Sequence, residues 1–479
     1  MLKQKIEKYL KSNYYLLTII SLIFIGWHVK AGPPLLGGTF FNTIVMIGLL
    51  IIWFFIVITY ENMAYGIPIV LGFSYLMNSN DLNLKTLSHM LPLLIAAVFF
   101  VAGIIIHMIK FRKKLKAGRL TLGLVLMALA SLIPFIYVKF TFPIFILSLV
   151  GFFHLVTYTI FDNYAQIDTK HFIRFLYYLS WLLVAQAWTR YMGYLVKNGL
   201  SSFPKGVETS WGGFGNFGWG CINDVFIHLL LLAPTHLYYM IKKPKNFAYW
   251  MGILVVAVTF LISGSRGGVM GLVIAVPFYI YILLRYGNQE VKKNLVLFIF
   301  IFVGVAISSV KIIQYILDGF IASLDNPTTG RTELWKQAIE VFKEYPLFGG
   351  GWGSKIMNWG SDQRVVVYHS TFFHTIAVMG IFGLIAVIIN WWESFIIMLR
   401  KISLEKWLIL VGFISSQAYG MVDITQHAAY YMSILVIQLL AIEKPTVRTT
   451  DTYDIIDFNI KPRQKPLKFV ERDYQLGFK

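Results

Sequence analysis

Cysteine is nearly absent: Cys221 stands alone in 479 residues, so no disulfide can form within the chain. Charge is scarce as well. Asp, Glu, Lys and Arg make up 14% of the residues against 57% hydrophobic ones, which excludes a soluble domain of ordinary composition. Paired carboxylates of the DxD kind, which hold a metal beside a nucleotide sugar, are missing from the long polar loops, and the histidines lack ligand spacing. A metal-independent reaction with no cofactor is therefore expected. The absence of a glycine-rich nucleotide fingerprint argues against an ATP-driven pump. No small-residue cleavage site follows the first apolar run, which continues through Trp27 and Val29, so it is expected to remain as an anchor, and no internal repeat is seen.

What the chain has in abundance is apolar runs of roughly 17 to 25 residues, the length at which a helix crosses a hydrocarbon core of about 30 Å. They are continuous rather than alternating, so helices are expected and not barrel strands. The runs fall at 14–30, 41–60, 62–78, 89–109, 119–138, 141–160, 172–192, 221–241, 247–263, 267–284, 294–311, 371–398, 405–422 and 426–442. This predicts an all-α polytopic membrane protein with about 14 transmembrane helices. The net charge of +19 is concentrated at Lys3–Lys11, Lys110–Arg119, Lys242–Lys245, Arg285–Lys293, Arg400–Lys406 and beyond Lys444, in loops on alternate sides, which is the positive-inside signature. Contact with anionic headgroups of membrane lipids is the plain role for these clusters, and no nucleic-acid partner is implied.

With the basic loops inside and an even count of crossings, both termini are expected in the cytoplasm. Three regions follow. Residues 1–217 hold the first helices and a long external loop; 218–442 hold a second transmembrane region with external loop 312–370; 443–479 form a polar tail expected to be a flexible cytoplasmic extension.

The two long external loops carry different signals. The first, about Met192 to Gly220, contains WGGFGNFGWG, a mixture suited to tight turns and to stacking on a sugar or an interfacial lipid. The second has a helix signature: DNPTTGR supplies turn and capping residues, ELWKQAIEVFKEY continues, and Pro346 stops it. Leu334, Trp335, Ile339, Val341 and Phe342 form its expected apolar stripe, with Glu333, Lys336, Lys343 and Glu344 on the wet side. The LFGGGWGS that follows offers consecutive backbone N–H groups, a possible anion nest.

The segment FLISGSRGGVMG sets Arg266 among small residues between two apolar runs. A guanidinium taken out of water needs an anion, an aqueous cavity or an interface to reach. Arg190, Arg266, Arg331, His369, His374, Asp423 and His427 all fall at or near the outer ends of spans and could converge on one cavity. Two or three guanidiniums are what a pyrophosphate needs, because the planar fork pairs with phosphate oxygens and stays charged. A histidine beside them could take a proton from an attacking hydroxyl. Plainer roles remain open for each. Arg190 fits snorkelling from a helix end; Arg331 fits pairing with Glu333 or Glu344; the histidines fit structural hydrogen bonds; Asp423 and His427, four apart, fit a local pair.

Three blocks in the carboxyl-terminal half carry a resemblance. They are SGSRGG at Ser263–Gly268, GRTELWKQAIEVFKEYPLFGGGWGS at Gly330–Ser354, and HSTFFHTIAVMGIFGL at His369–Leu384. Together they resemble the O-antigen ligase and polymerase superfamily of bacterial envelope glycosyltransferases, in which a histidine precedes a glycine by about eleven residues, as His369 precedes Gly380. GWGCINDVF at Gly218–Phe226 is similar, more loosely, to the family's asparagine-containing span start. Ser370 departs from the asparagine that commonly follows the histidine.

The resemblance implies a GT-C-like membrane enzyme at the outer face of the bacterial cytoplasmic membrane. It would take a glycan from an undecaprenyl-pyrophosphate carrier and pass it to an acceptor glycan or lipid, with inversion, in company with other polysaccharide-assembly membrane proteins. It also implies roles. Arg266 and Arg331 would be catalytic and hold the pyrophosphate, His369 would be the catalytic base, and Arg190 and Asn223 would help bind the substrate. A lipid-linked oligosaccharide flippase is the competing class, whose cavity also needs cations; repeat symmetry and broken helices would mark it, and the sequence displays neither.

Overall fold

The computed structural model describes residues 1–31, 39–76, 91–139, 141–199, 217–262, 265–308, 330–359 and 362–443. The tail beyond 443, most of the first long loop and residues 309–329 of the second lie outside the described residues. Each of the fourteen apolar runs contains helix where described. In chain order the helices are α1 (Leu2–Leu10), α2 (Asn13–Ala31), α3 (Thr39–Thr59), α4 (Ile67–Phe73), α5 (Leu91–Phe111), α6 (Thr121–Leu132), α7 (Phe142–Ser148), α8 (Val150–Tyr164) and α9 (Thr169–Asn198). There follow α10 (Ile222–Leu232), α11 (Thr235–Lys242), α12 (Ala248–Ile262), α13 (Arg266–Tyr286), α14 (Gln289–Ser308), α15 (Arg331–Glu344), α16 (Thr371–Leu399), α17 (Leu404–Gly420) and α18 (Ala429–Glu443).

The chain is therefore an essentially all-helical integral membrane protein. Among the described residues, five helical stretches are long and apolar enough to cross a bilayer, or six if α1 and α2, bent by 68°, form one span. Other runs are shorter: Thr121–Ile136, Ala248–Leu261 and Ala429–Glu443 are apolar helices of 10–17 residues. Side chains such as Ile51, Val98 and Val101 point outward with half or more of their surface open, as lipid-facing residues do. The interior is packed with large aromatics, Trp27, Trp53, Trp219 and Trp250 among them.

Two ends of the bundle differ in chemistry. One gathers the basic loops: Arg174 bonds Asn13 and Tyr239, the backbone of Lys116 bonds Asn163, and Lys113 pairs with Glu61 at 2.9 Å. The other gathers the helix starts that hold the candidate site residues.

At that second end the second long loop is woven into the bundle. Helix α15 packs on α16 through Ala338 and Val341, and Trp335 stacks on Phe373 with ring centroids 5.1 Å apart. Leu334 also joins this cluster. Ile339, expected in the apolar stripe, is exposed instead, because the buried stripe runs through positions 334, 338, 341 and 345. A short antiparallel hairpin, β1 (Ile356–Trp359) and β2 (Asp362–Val365), follows, with Ile356 opposite Val365; the sequence reading contained no strand.

The glycine-rich turn after α15 does not form an anion nest. Helix α16 is broken at Gly380, whose φ of 62° suits glycine. The turn fills the break: Gly350 and Gly351 donate their N–H groups to the carbonyls of Ala377 and Val378 (2.8 and 3.0 Å). In return Ile381 and Phe382 donate theirs to the carbonyls of Pro346 and Leu347 (2.9 and 3.0 Å). Backbone groups freed by a broken helix must be satisfied inside a membrane protein, and here the loop satisfies them.

Candidate functional site

The site is built from helix beginnings. Ser265 caps α13, its hydroxyl accepting from the N–H of Gly268 at 3.3 Å, so Arg266 is the first residue of that helix. A Cβ on Gly267 would stand 2.5 Å from the ring of Tyr419, so glycine is what lets α13 lie this close to α17. Helix α10 begins with a reciprocal cap in which the Cys221 N–H donates to Asp224 Oδ2 at 2.7 Å. Helix α15 begins at Arg331 after Gly330, which has φ of 79°. Helix α16 begins after His369, a non-glycine residue in the left-handed region with φ of 44°. Such strain persists only where surrounding structure over-determines it, and it concentrates at functional sites.

These starts meet around Asp423, in the turn after α17. Its Oδ1 accepts from Nδ1 of His369 at 3.3 Å and from the N–H of Ile424 at 2.8 Å. Its Oδ2 faces an Nη of Arg331 at 3.8 Å. Thr371, at the start of α16, sews the turn in place: its hydroxyl donates to the Asp423 carbonyl at 3.3 Å and accepts from the N–H of Thr425 at 3.0 Å. Asp423 is 8% exposed at its side chain, whereas Arg331 and His369 keep 21% and 31% open. The guanidinium and the imidazole thus face outward from a buried carboxylate. Burial works to raise the Asp423 carboxyl, but the hydrogen bond and charge of His369, the charge of Arg331 and the Ile424 N–H outweigh it and hold the group below the usual carboxylate range.

Tyr419, one turn before Asp423, joins the α13 side. Its hydroxyl lies 3.3 Å from that of Ser265, which in turn donates to Asn223 Oδ1 at 3.4 Å. Tyr419 is also within electrostatic reach of Asp423 and Arg331. Asp224 is within reach of both Asp423 and His369.

Of the residues singled out in the sequence, His369 and Arg331 are brought together by Asp423. Asn223 joins through Ser265. Arg266 starts a helix immediately beside Ser265, while its side chain lies outside the described residues. Arg190 is half-buried on α9, one turn from Gln186, which accepts from Trp219 Nε1 at 3.1 Å just ahead of α10.

Several expectations change. Arg331 faces Asp423, and Glu333 pairs with Lys336 instead, at 3.6 Å. Asp423 and His427 are not partners: His427 Nε2 pairs with the Thr375 hydroxyl at 2.8 Å. His374 is fully buried, but neither ring nitrogen has a hydrogen-bond partner among the described residues. Trp219, from the aromatic loop, is core, set edge-on to Tyr75 at 4.7 Å, and is not open for stacking on a sugar. Sequence reasoning missed Asp423 as the centre, and Tyr419 and Ser265 as links. A carboxylate is rare enough in this chain that its place at a helix end was the available signal.

Helix beginnings carrying arginine, histidine and asparagine at one end of an apolar bundle define an integral membrane protein with a site suited to anions. Residues 251–388 match the family model described as O-antigen ligase, a stretch that includes Arg266, Arg331 and His369. Over that stretch the chain is similar to the O-antigen ligase family, in keeping with the resemblance of its three sequence blocks. No curated protein and no solved structure matches the chain.

Proposed function

We propose that this protein is a glycosyltransferase that transfers or polymerises glycan repeat units from an undecaprenyl-pyrophosphate carrier, at the outer leaflet of the bacterial cytoplasmic membrane. In this reading the bundle crosses the membrane about 14 times in a GT-C-like arrangement. Both termini are cytoplasmic, and the site lies on the outer face, opposite the basic loops. Residues 1–217 form an amino-terminal helical region, 218–442 the ligase-like core and 443–479 a cytoplasmic tail.

The observation that carries the reading is the grouping of His369, Asp423 and Arg331 within the matched family region and its immediate neighbour in space. With Nδ1–H donating to Asp423, the other ring nitrogen of His369 is left with a lone pair. It takes the proton of the acceptor hydroxyl as that oxygen bonds to the anomeric carbon. The bond from that carbon to the pyrophosphate oxygen breaks with inversion, and its electron pair leaves on the diphosphate. Arg331 and Arg266 stabilise that growing charge, with Asn223 and Arg190 binding the phosphates. The starts of α10, α13, α15 and α16 add positive dipole ends on the same side. No metal or cofactor is needed for these steps.

Purified protein in detergent, given a synthetic carrier-linked glycan and an acceptor, should form new glycosidic bonds. Transport of the carrier across liposomes with no new bond would establish the flippase class instead. The break in α16, a feature of many transporters, is filled by the chain's own loop and does not line a cavity with open backbone.

A further inference from the structure

Helix α16 records where lipid begins. Ahead of its break the residues from His374 to Gly380 are all buried. Beyond it Ile381, Ile385, Ile388 and Trp392 are exposed at helical spacing, the pattern of a lipid-facing stripe. From Ile381 to Leu399 the helix runs about 28 Å at about 1.5 Å per residue, close to a hydrocarbon core of about 30 Å. Arg400 and Lys401 follow it at the basic end. With that end at one boundary of the core, Gly380 falls at the other.

The turn after α15 is spliced in at this level. Its Leu347 carbonyl accepts from the N–H of Phe382, next to the first residue of the stripe, while the Leu347 side chain is 62% exposed. The same turn holds the far end of α6. The Tyr345 ring stacks on that of Tyr137 with centroids 5.4 Å apart, and the Tyr137 hydroxyl donates to the Gly349 carbonyl. Here too the surface is apolar and open. Ile136, 84% exposed, ends the apolar helix Thr121–Ile136 on the face that carries the exposed Leu122 and Leu129. Phe142, also exposed, opens the stretch Phe142–Tyr164, which is long and apolar enough to cross a bilayer. Lys139, Lys343 and Glu344, their neighbours in sequence, are exposed and polar. Large apolar side chains gathered in the open are unfavourable in water. Placed at the top of lipid-facing helix surfaces, with two tyrosines and a rim of charge, they have the composition of a membrane interface.

We infer that the turn at 345–351, together with Ile136, Tyr137 and Phe142, is an interfacial anchor that binds phospholipid on the site's side of the membrane. Leu347, Ile136 and Phe142 enter the acyl boundary, and Tyr137 and Tyr345 lie at the headgroups. Helix α15 is then fixed at both ends, by lipid just after Glu344 and by Asp423 at Arg331. The inference goes beyond the proposed reaction and does not depend on it.

The test is a depth measurement in phospholipid vesicles. Leu347→Cys in a Cys221→Ser background offers a single thiol for a nitroxide label, and serine at 221 is still able to cap α10. Labels at Val98, which faces lipid, and at Lys336, on the wet side of α15, calibrate the reading. Access of oxygen to the label at 347 should approach that at 98, and access of a water-soluble nickel chelate should be several-fold below that at 336. As a second route that keeps Cys221, Leu347→Trp adds emission that should be quenched by phospholipid brominated high in its acyl chains and not by iodide. Equal nickel access at 347 and 336, or iodide quenching of the new tryptophan, would overturn the inference. A label shielded from both oxygen and nickel would overturn it as well, since a second protein would then cover the turn.

Discussion

Nδ1 of His369 stands 3.3 Å from Oδ1 of Asp423, although 54 positions separate the two residues in the chain. The contact orients the imidazole, whose side chain keeps 31% of its surface open. Asp423→Asn replaces an acceptor oxygen with a group that can donate, so the ring loses its fixed tautomer. Glycosyl transfer should fall by about 100-fold or more with little loss of substrate binding. Steady-state kinetics of the purified variant check this, and near-normal kcat would remove Asp423 from the mechanism.

His369→Ala should lower kcat by about 100- to 10,000-fold, the usual range for loss of a positioned general base. A change of only a few fold would make the residue a spacer between β2 and α16.

Arg331→Ala and Arg266→Ala should each cost about 2 to 4 kcal/mol of transition-state stabilisation, as expected for one preorganised donor to developing charge. Arg331→Lys keeps the charge but loses the planar fork, and should recover only part of the activity. The readout is kcat/KM with carrier-linked glycan. Full activity in either alanine variant would sink the role given to that arginine.

The acid response follows from Asp423. A carboxyl held lower in the folded state than in the unfolded one stabilises the fold fully above its unfolded pKa, and that contribution disappears as pH falls through the folded value. Melting temperature in detergent should therefore hold steady on acidification to about pH 5 and drop below the ordinary carboxylate range. Asp423→Asn should show a smaller drop over the same interval. Identical acid profiles for the two proteins would mean that the carboxylate contributes nothing to stability.

Gly380→Ala attacks the splice in α16. Its φ of 62° disfavours any side chain, and a Cβ there would lie 2.6 Å from the Leu347 carbonyl. The backbone term alone is about 1 to 3 kcal/mol. A lowered melting temperature with a parallel loss of activity is expected, and an unchanged melting curve would show that the turn adapts.

Hydropathy made the helices legible, because a run that must satisfy its own backbone in lipid has few alternatives. The amphipathic helix after Gly330 was legible from its caps and period, and its start at Arg331 agrees. The site was legible only in part. Arg331 and His369 stood out as polar residues at the ends of apolar runs, yet their meeting point depends on Asp423, whose sequence neighbours include His427, a nearer and false partner. Ser265 read only as a small residue flanking an arginine, and Tyr419 as one aromatic among 27 tyrosines. Contacts between residues that distant depend on how helices pack, which periodicity along one strand of sequence does not encode. The glycine-rich turn was misread for the same reason: its N–H groups were visible, but their acceptors lie in another helix.

That exchange of hydrogen bonds between Gly350, Gly351 and α16 has a practical corollary for tagging and proteolysis. Residues 346–351 lie in the longest interval between apolar runs of the chain and would be chosen from the run pattern alone as a safe place for an epitope. Because they complete a bundle helix, an insertion there should be as damaging as one in the apolar interior, and a protease should cut them only after the bundle opens.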